Sequence, residues 1–144
     1  MPDSSAIGNA LIAKLGACAP LLALMPNGVY EDMGPAGMTR FVIVSLVIGS
    51  DTGMFNGRAC EEHVYLIEAR ALSTSGGDVQ AAAKVIDDLL DPQPPLPPAT
   101  LTVPGYALMT IRRDEFVRGR EPDAGDPSIL WKRRGGRYTV MCSL

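Results

Sequence analysis

Catalysis by this chain of 144 amino acids would require a base, a nucleophile or a pair of carboxylates in a suitable arrangement. His63 is the single histidine, and it lies near the start of a predicted strand with no neighbour that would orient its ring. A nucleophilic Ser, Cys or Thr needs such a base within hydrogen-bond reach. We therefore interpret His63 as a structural or exposed residue. An enzyme remains an alternative only if a concave pocket brings His63 together with a carboxylate.

Carboxylates and glycines also lack the spacing that chemistry would need. Adjacent acidic residues occur at 61–62, 87–88 and 114–115, but neighbours on a strand point to opposite faces, and the pair at 87–88 lies on the polar side of a predicted helix. The glycines at 53–57 and 76–77 are without the Gly-Lys-Ser/Thr ending of a phosphate-binding loop. We expect no catalytic site and no cofactor.

The cysteines give no sign of a disulfide framework or a metal site. Cys18, Cys60 and Cys142 are widely separated and form no Cys-x-x-Cys pair. The acidic loop residues lack the ligand pattern of a calcium loop. The amino terminus has no basic stretch typical of a secretory signal, and the apolar runs are too short to span a membrane. We expect synthesis in a reducing cytoplasm, no bound metal and no membrane partner.

Charge is distributed unevenly along the chain. The net charge is −3, yet residues 1–105 carry five basic and eleven acidic side chains, whereas residues 106–144 carry eight basic and five acidic ones. The basic residues of this last third are Arg112, Arg113, Arg118, Arg120, Lys132, Arg133, Arg134 and Arg137. They could form a solvated rim, attract a phosphate backbone, or attract the acidic surface of another copy.

Aromatic residues decide between the last two alternatives. A base-stacking platform would interleave aromatic and basic side chains, but only Trp131 and Tyr138 are available in this region. The pI of about 5.1 also argues against a general nucleic-acid binder. We therefore favour the acidic surface of another copy as the partner, and we expect no sequence-specific nucleic-acid binding.

Apolar periodicity and turn residues predict the helices. A first helix starts near Ala6 after a serine cap, places Ile7, Leu11 and Leu15 on one face and ends near Gly16. A short second turn begins at Pro20. A turn at 73–78 leads into the clearest helix, over 78–91, which the proline-rich run 92–98 ends.

The predicted strands occupy Val29–Glu31, 41–48, 63–72 and 106–118, with a long turn at 49–57 and a charged loop at 119–127. Residues 129–142 predict a terminal hairpin that turns at Gly135-Gly136, where Trp131 faces Val140 and Arg133 faces Tyr138. The strand containing Phe41 and Ile43 is apolar on both faces. Because one layer of helices covers one face of a sheet, we expect a neighbouring subunit to cover the other.

Together these elements predict a single domain over 1–144 of the α+β class. Its sheet is mainly antiparallel with four to six strands, and two principal helices pack on one face.

The order of the elements resembles the tail-completion, or tail-terminator, family of long-tailed bacteriophages. The resemblance covers most of the chain and is carried by residues 7–24, Val29–Glu31, 41–50, 64–71, 81–90 and 131–140. It implies a non-enzymatic virion protein in the tail-neck region, made in the host bacterial cytoplasm. Such a protein forms a ring, most often of six copies, that caps the tail tube and offers its other surface to the head-tail connector or head-completion protein.

The resemblance carries no catalytic residues. The proline run 92–98 and the charged loop 119–127 depart from the family pattern, which leaves open how the last strands join the sheet and which ring surface they serve. The predicted subunit or partner interface consists of Phe41, Ile43, Arg112, Arg113, Trp131, Lys132, Arg133, Arg134 and Arg137. The alternatives are a small nucleic-acid-binding module that uses the basic carboxy-terminal hairpin, and a head-completion or neck protein.

Overall fold

The computed structural model describes residues 4–34, 36–54, 57–72 and 77–143. Three helices, α1 (Ser5–Gly16), α2 (Ala19–Leu24) and α3 (Gly77–Leu90), accompany five strands. The strands are β1 (Val29–Glu31), β2 (Arg40–Met54), β3 (Gly57–Leu72), β4 (Ala107–Pro122) and β5 (Leu130–Ser143). They form one sheet in the order β1-β2-β3-β5-β4, in which only the β1–β2 pair is parallel. The prediction of an α+β fold with a mainly antiparallel sheet is confirmed.

The two principal helices pack on the same face of the sheet, which we call the helix face. Ile7, Leu11 and Leu15 recur along one side of α1 and are fully buried, as the periodicity predicts. α3 buries Val79, Ala82, Ile86 and Leu90 in the same core. The strands contribute the residues of the helix face to this core: Val42, Val44, Tyr65, Ile67, Ala69, Ala71, Ile111, Tyr138, Val140 and Cys142.

A proline-rich crossing, 91–106, connects α3 to the far edge of the sheet. Leu101 and Val103 on this segment are buried in the core, so the crossing covers part of the domain. β4 is thereby delivered to the outside of the sheet, and β5 then returns between β4 and β3. The crossing thus explains how the last two strands join the sheet.

The strands extend beyond their predicted ends. β2 and β3 continue through most of the predicted turn at 49–57, pairing as far as Met54 and Gly57. β4 likewise runs to Pro122 through the first part of the predicted loop. Gly and Asn favour turns without forbidding extended backbone, and the antiparallel ladder supplies hydrogen bonds to both chains. Residues 55–56 of the predicted turn and 73–76 of the next one lie outside the described residues.

The predicted terminal hairpin is wrong. β5 is a single strand of 14 residues, with Gly135 and Gly136 in its middle rather than at a turn. A Cβ atom at Gly135 would lie 1.9 Å from the carbonyl oxygen of Ile67, and one at Gly136 would lie 2.8 Å from that of Glu115. Glycine is therefore required here because the backbones of neighbouring strands approach too closely for a side chain.

No helix among the described residues combines the length and the apolar character needed to cross a lipid bilayer.

Candidate interaction surfaces

The register of the sheet separates the predicted interface residues into two groups. Arg113, Lys132 and Arg134 lie on the helix face, in register with core residues. The others lie on the opposite face, which we call the open face: Phe41, Ile43, Arg112, Trp131, Arg133 and Arg137. The predicted set is therefore not one surface.

On the open face, a buried carboxylate organises two of the basic residues. Glu68 is only 1% exposed, and its Oε1 accepts from Nε of Arg70 at 2.9 Å and lies 2.8 Å from Nη2 of the same residue. Nη1 of Arg133 lies 4.0 Å from Oε2 of Glu68, and its Nε lies 3.6 Å from Glu121. The charge-assisted contact with Glu68 holds the guanidinium of Arg70 in place. Arg133 forms two longer ion pairs within the chain, neither of which is short enough to be a hydrogen bond.

Trp131 is also held by its own chain. Its indole N–H donates to Oδ1 of Asp123 at 3.0 Å, and its ring lies 5.7 Å from that of Phe41, centroid to centroid. These contacts fix the connection between β4 and β5 to the open face. They assign Trp131 a role within the fold.

Three more of the predicted arginines have acidic partners nearby. Arg112 pairs with Asp114 at 2.9 Å and Arg137 pairs with Glu115 at 3.0 Å, both at the surface. Nη1 of Arg113 lies 3.1 Å from Asp87 on α3. Exposed pairs such as the first two contribute little to stability, but they neutralise the field that the positive side chains would otherwise project.

Phe41 and Ile43 are inaccessible in the single chain, with 7% and 4% of their surface exposed. The apolar surface that remains on β2 lies further along the strand, beyond the end of β1. It consists of Leu46, Val47 and Ile48, which are 54%, 46% and 61% exposed and which we call the apolar strip. A register shift between Leu46 and Ile48 leaves Val47 without a paired residue on β3.

The strongest positive feature is a cleft of about 640 Å³ between the start of α3 and the ends of β4 and β5. We call it the basic cleft. It is lined by Val79, Gln80, Arg118, Gly119, Arg120, Lys132, Arg133 and Arg134. The amino-terminal end of α3, which contributes Val79 and Gln80 to the lining, adds the partial positive charge of a helix start to this site.

Like charges oppose one another across the strands of the basic cleft. Arg118 is paired in register with Arg134, and Arg120 with Lys132. Directly opposed like charges destabilise a sheet. Within the part of the chain that the structure describes, no hydrogen bond or ion pair engages the guanidinium groups of Arg118, Arg120 and Arg134. The cleft therefore places Arg118 and Arg134, neither of which has a partner among the described residues, directly opposite each other.

The predicted set omitted Arg118 and Arg120, although both were recognised as basic residues. Arg120 fell in a predicted loop and Arg118 at the end of a predicted strand, so no cross-strand partner could be assigned to either. The register between β4 and β5 identifies these two arginines. It can be assigned only when β5 is recognised as one continuous strand.

At the opposite edge of the sheet the exposed charge is negative. Glu31 ends β1 and Asp32 follows it, and both side chains are exposed. Among the described residues no cation pairs with either carboxylate. Asp32 adopts a φ of 62°, and its N–H donates to the carbonyl oxygen of Val44 at 3.1 Å. This hydrogen bond fixes the position of the acidic residues beside β2.

His63 does lie beside a carboxylate, but both are enclosed. Its Nε2 is 3.8 Å from Oε1 of Glu61, and the two residues are 6% and 2% exposed. Neither lines any of the three clefts described on this chain. The neighbouring thiol of Cys142 has a raised pKa because it is buried and because the carboxylate of Glu61 is close. The pair is packed into the core.

Comparison with known proteins provides a structural match. No protein-family model matches the sequence, and no curated protein matches it. Among solved structures, a chain from the virion of a native gene transfer agent particle superposes with a TM-score of 0.72 at 21% sequence identity. The match covers 98% of this chain and 97% of that one. The two chains share one fold. At this level of identity the likeness concerns architecture, which here extends from end to end of both chains.

Proposed function

We propose that this protein is a non-enzymatic structural component of a phage-like virion, acting as a single domain. It assembles as a head-to-tail ring of about six copies that caps the tail tube and joins it to the head-tail connector. Its partners are further copies of itself, the tail tube protein and the connector or head-completion protein. Its place in the particle is the tail-neck region.

The observation that carries this proposal is the superposition on a chain of a gene transfer agent virion over nearly the full length of both chains. The resemblance of the element order to the tail-terminator family supports the specific role.

The surfaces of the chain suit a ring. The two edges of the sheet carry opposite charge, with Glu31 and Asp32 at one and the basic cleft at the other. Opposite edges of opposite sign favour head-to-tail contacts, which close into rings when the rotation between copies is right.

Electron microscopy of particles produced with and without this gene tests the proposal. We expect particles lacking the protein to have overlong tails or tails detached from heads. Supplying the wild-type gene on a plasmid should restore normal tail length and attachment. Normal virions in the absence of the protein would contradict the proposed role.

A Lys84→Glu variant is the control for the complementation test. The side chain of Lys84 on α3 is 76% exposed, so this variant should restore normal tails as the wild-type gene does.

Tail length distinguishes the terminator from a neck protein. Overlong tails indicate the terminator role, whereas tails of normal length that fail to attach indicate a head-completion or neck role.

Nucleic-acid binding is the second candidate function, favoured by the three unpaired arginines of the basic cleft. It predicts binding to duplex DNA that weakens steeply as salt increases, because bound cations are released from the phosphates. A filter-binding or anisotropy titration at two salt concentrations tests it. Binding that does not respond to Arg118→Glu would contradict this alternative.

A further inference from the structure

We propose that the basic cleft of one copy receives the acidic end of β1, Glu31 and Asp32, from the next copy of the same chain. This inference rests on the ring proposed above and identifies the contact between its members. It is argued from the charges of the two sheet edges, from their apolar residues and from the register of the strands.

Charge is the first argument. Arg118, Arg120 and Arg134 are unpaired within the described chain, and the like-charge pairs to which they belong oppose folding. An anionic partner bound at the cleft would offset this repulsion. Glu31 and Asp32 are exposed carboxylates without a cationic partner among the described residues, so the same chain supplies the complementary charge.

Apolar exposure is the second argument. Beside the basic residues of β4 lies Phe116, which is 73% exposed. Beside the acidic residues of β1 lies the apolar strip, of which Leu46 is 54% exposed. Large apolar side chains exposed at both edges are stabilised when they cover each other and exclude water. Arginines on an edge strand can also serve only to prevent aggregation, but that role requires no exposed apolar residue beside them.

Register is the third argument. Glu31 is level with Val44 on β2, and Leu46 follows two residues further along that strand. On the other edge, Arg118 is level with Val42 across the sheet, and Phe116 follows two residues further in the same direction. A displacement of two residues between copies, about 7 Å, therefore aligns Glu31 with Arg118 and Leu46 with Phe116 at once.

The orientation of the strands agrees with this displacement. All four of these side chains belong to the helix face by register, so their alignment requires no turning of one copy over the other. β4 runs antiparallel to β2 within the sheet. Two copies in the same orientation consequently meet with antiparallel edges, the arrangement that the rest of the sheet uses. In the described structure no strand pairs with the outer edge of β2 beyond Val44, so the side chain of Leu46 is accessible to a side chain of the next copy.

Charge reversal on the two edges tests the contact. We expect Arg118→Glu with Arg120→Glu to lower the fraction of assembled protein about tenfold, and Glu31→Arg with Asp32→Arg to do the same. Mixing these two variants should restore assembly, because in an alternating ring the acidic cleft of one variant meets the basic β1 end of the other. A chain that carries all four substitutions should also assemble, since its edges are complementary again. Assembly is measured by light scattering after gel filtration and by complementation of particles that lack the protein.

A control variant carries an equal change of charge elsewhere. Lys14→Glu with Lys84→Glu alters a half-buried residue of α1, whose Nζ donates to the carbonyl oxygen of Thr100, and an exposed residue of α3. Both lie away from the two edges, so this variant should assemble as wild type does. Folding is tested separately. Arg118→Glu removes the repulsion with Arg134, so its free energy of unfolding should be equal to or higher than that of the wild type. Loss of assembly in a chain of full stability then reports on the contact itself.

Cross-linking of assembled particles keeps the test decisive if the free protein is monomeric. A chain with Glu31→Cys and Arg118→Cys should form disulfide-linked multimers in purified particles under mild oxidation. A chain with Lys84→Cys in place of Arg118→Cys should not. Absence of the expected multimers would overturn the contact.

The remaining outcomes separate the contact from the proposed function. If charge reversal at either edge alone leaves assembly and complementation intact while the gene remains essential for normal tails, the contact is wrong and the ring function stands. If particles are normal without the gene, the ring function fails. If the Arg118→Glu variant loses DNA binding but keeps self-assembly, the cleft binds nucleic acid and the contact is overturned.

Discussion

At the scale of single residues, the two glycines in the middle of β5 determine how closely three strands can approach. A Cβ atom at position 135 would overlap the backbone of β3, which cannot move away as a flexible side chain can. The glycine pair is therefore a packing requirement, and its substitution should affect the sheet rather than a loop.

Gly135→Ala is expected to lower the free energy of unfolding by about 2 kcal/mol or more, because the backbones of β3 and β5 must separate. Urea denaturation followed by circular dichroism measures the change. Gly16→Ala is the matched control, since nothing lies within 4 Å of a Cβ there and alanine favours the end of a helix. Equal effects of the two substitutions would contradict the steric explanation.

Two buried tyrosines make the stability of the protein sensitive to alkali. Burial raises the pKa of Tyr65 to about 12, with smaller contributions from nearby acidic groups. The pKa of Tyr138 is also raised, first by burial and then by Asp87. Oδ1 of Asp87 accepts a hydrogen bond from the Tyr138 hydroxyl group at 3.1 Å. In both cases the folded chain holds the phenol proton more tightly than the unfolded chain does.

Full stability should therefore be present below pH 10, the ordinary value for tyrosine, and should fall as the pH rises from 10 toward 12. The unfolded chain loses protons in this range that the folded chain retains. Urea unfolding at pH 8 and pH 11 tests the sign, and Tyr138→Phe should reduce the difference between them. A variant with the same pH dependence as the wild type would show that Tyr138 is not the responsible group.

At the scale of elements, the end of α3 is fastened to the sheet by two aspartates. Asp87 accepts a hydrogen bond from the hydroxyl group of Tyr138 on β5 and pairs with Arg113 on β4 at 3.1 Å. Oδ2 of Asp91, just beyond the helix, accepts from the backbone N–H of Arg113 at 2.9 Å. These contacts join the outermost strand to the helix that covers it.

Asp87→Ala should lower the free energy of unfolding by about 1–3 kcal/mol, because it leaves the hydroxyl group of Tyr138 and the guanidinium of Arg113 without their partner. Asp88→Ala changes the next residue, which is exposed and pairs with Lys84, and should cost no more than about 0.5 kcal/mol. Thermal and urea unfolding of the two variants gives the comparison. A larger effect at Asp88 would contradict the role given to Asp87.

The helices and the edge strand β1 could be predicted from local patterns, because their signals lie within a few residues of one another. The recurrence of Ile7, Leu11 and Leu15 and the prolines after α3 are signals of this kind. The course of β5 could not be predicted in this way. Gly135-Gly136 has the composition of a turn, and only the close approach of Ile67 and Glu115, distant in sequence, explains the extended backbone.

The same reason separates the predicted interface from the basic cleft. The basic character of the last third of the chain and its contrast with the acidic remainder could be predicted from composition. Which arginines are neutralised depends on contacts across strands, such as that between Glu68 and Arg70, and on helix packing, as for Arg113 and Asp87. Composition therefore indicates the basic last third of the chain, whereas the register of β4 and β5 is needed to identify Arg118 and Arg120 within it.

At the scale of the whole molecule, the distribution of charge predicts how assembly responds to salt. The net charge is −3, but the sheet carries opposite signs at its two edges. Attraction between edges should weaken with screening, whereas apolar contacts should not. We expect the assembled fraction to fall when the ionic strength is raised from about 0.05 M to about 0.5 M.

Sedimentation velocity at the two salt concentrations measures this effect. The chain with all four charge-reversing substitutions should keep the salt dependence, since its edges are again of opposite sign. Replacement of Arg118 and Arg120 by methionine should reduce it. Assembly that strengthens with salt in the wild type would show that apolar contact dominates and that the charged edges contribute little.

The position of β5 in the sheet also determines when, during synthesis, the chain becomes able to form the ring contact. β5 follows every other described strand in the chain, yet it lies between β3 and β4. During synthesis from the amino terminus, the outer strand β4 therefore leaves the ribosome with no strand to pair with, and the sheet closes only after β5 has emerged. Until then, the two edges do not belong to one continuous sheet. A chain still attached to the ribosome before β5 emerges would thus be unable to present both ends of a ring contact, which delays oligomerisation until the fold is complete.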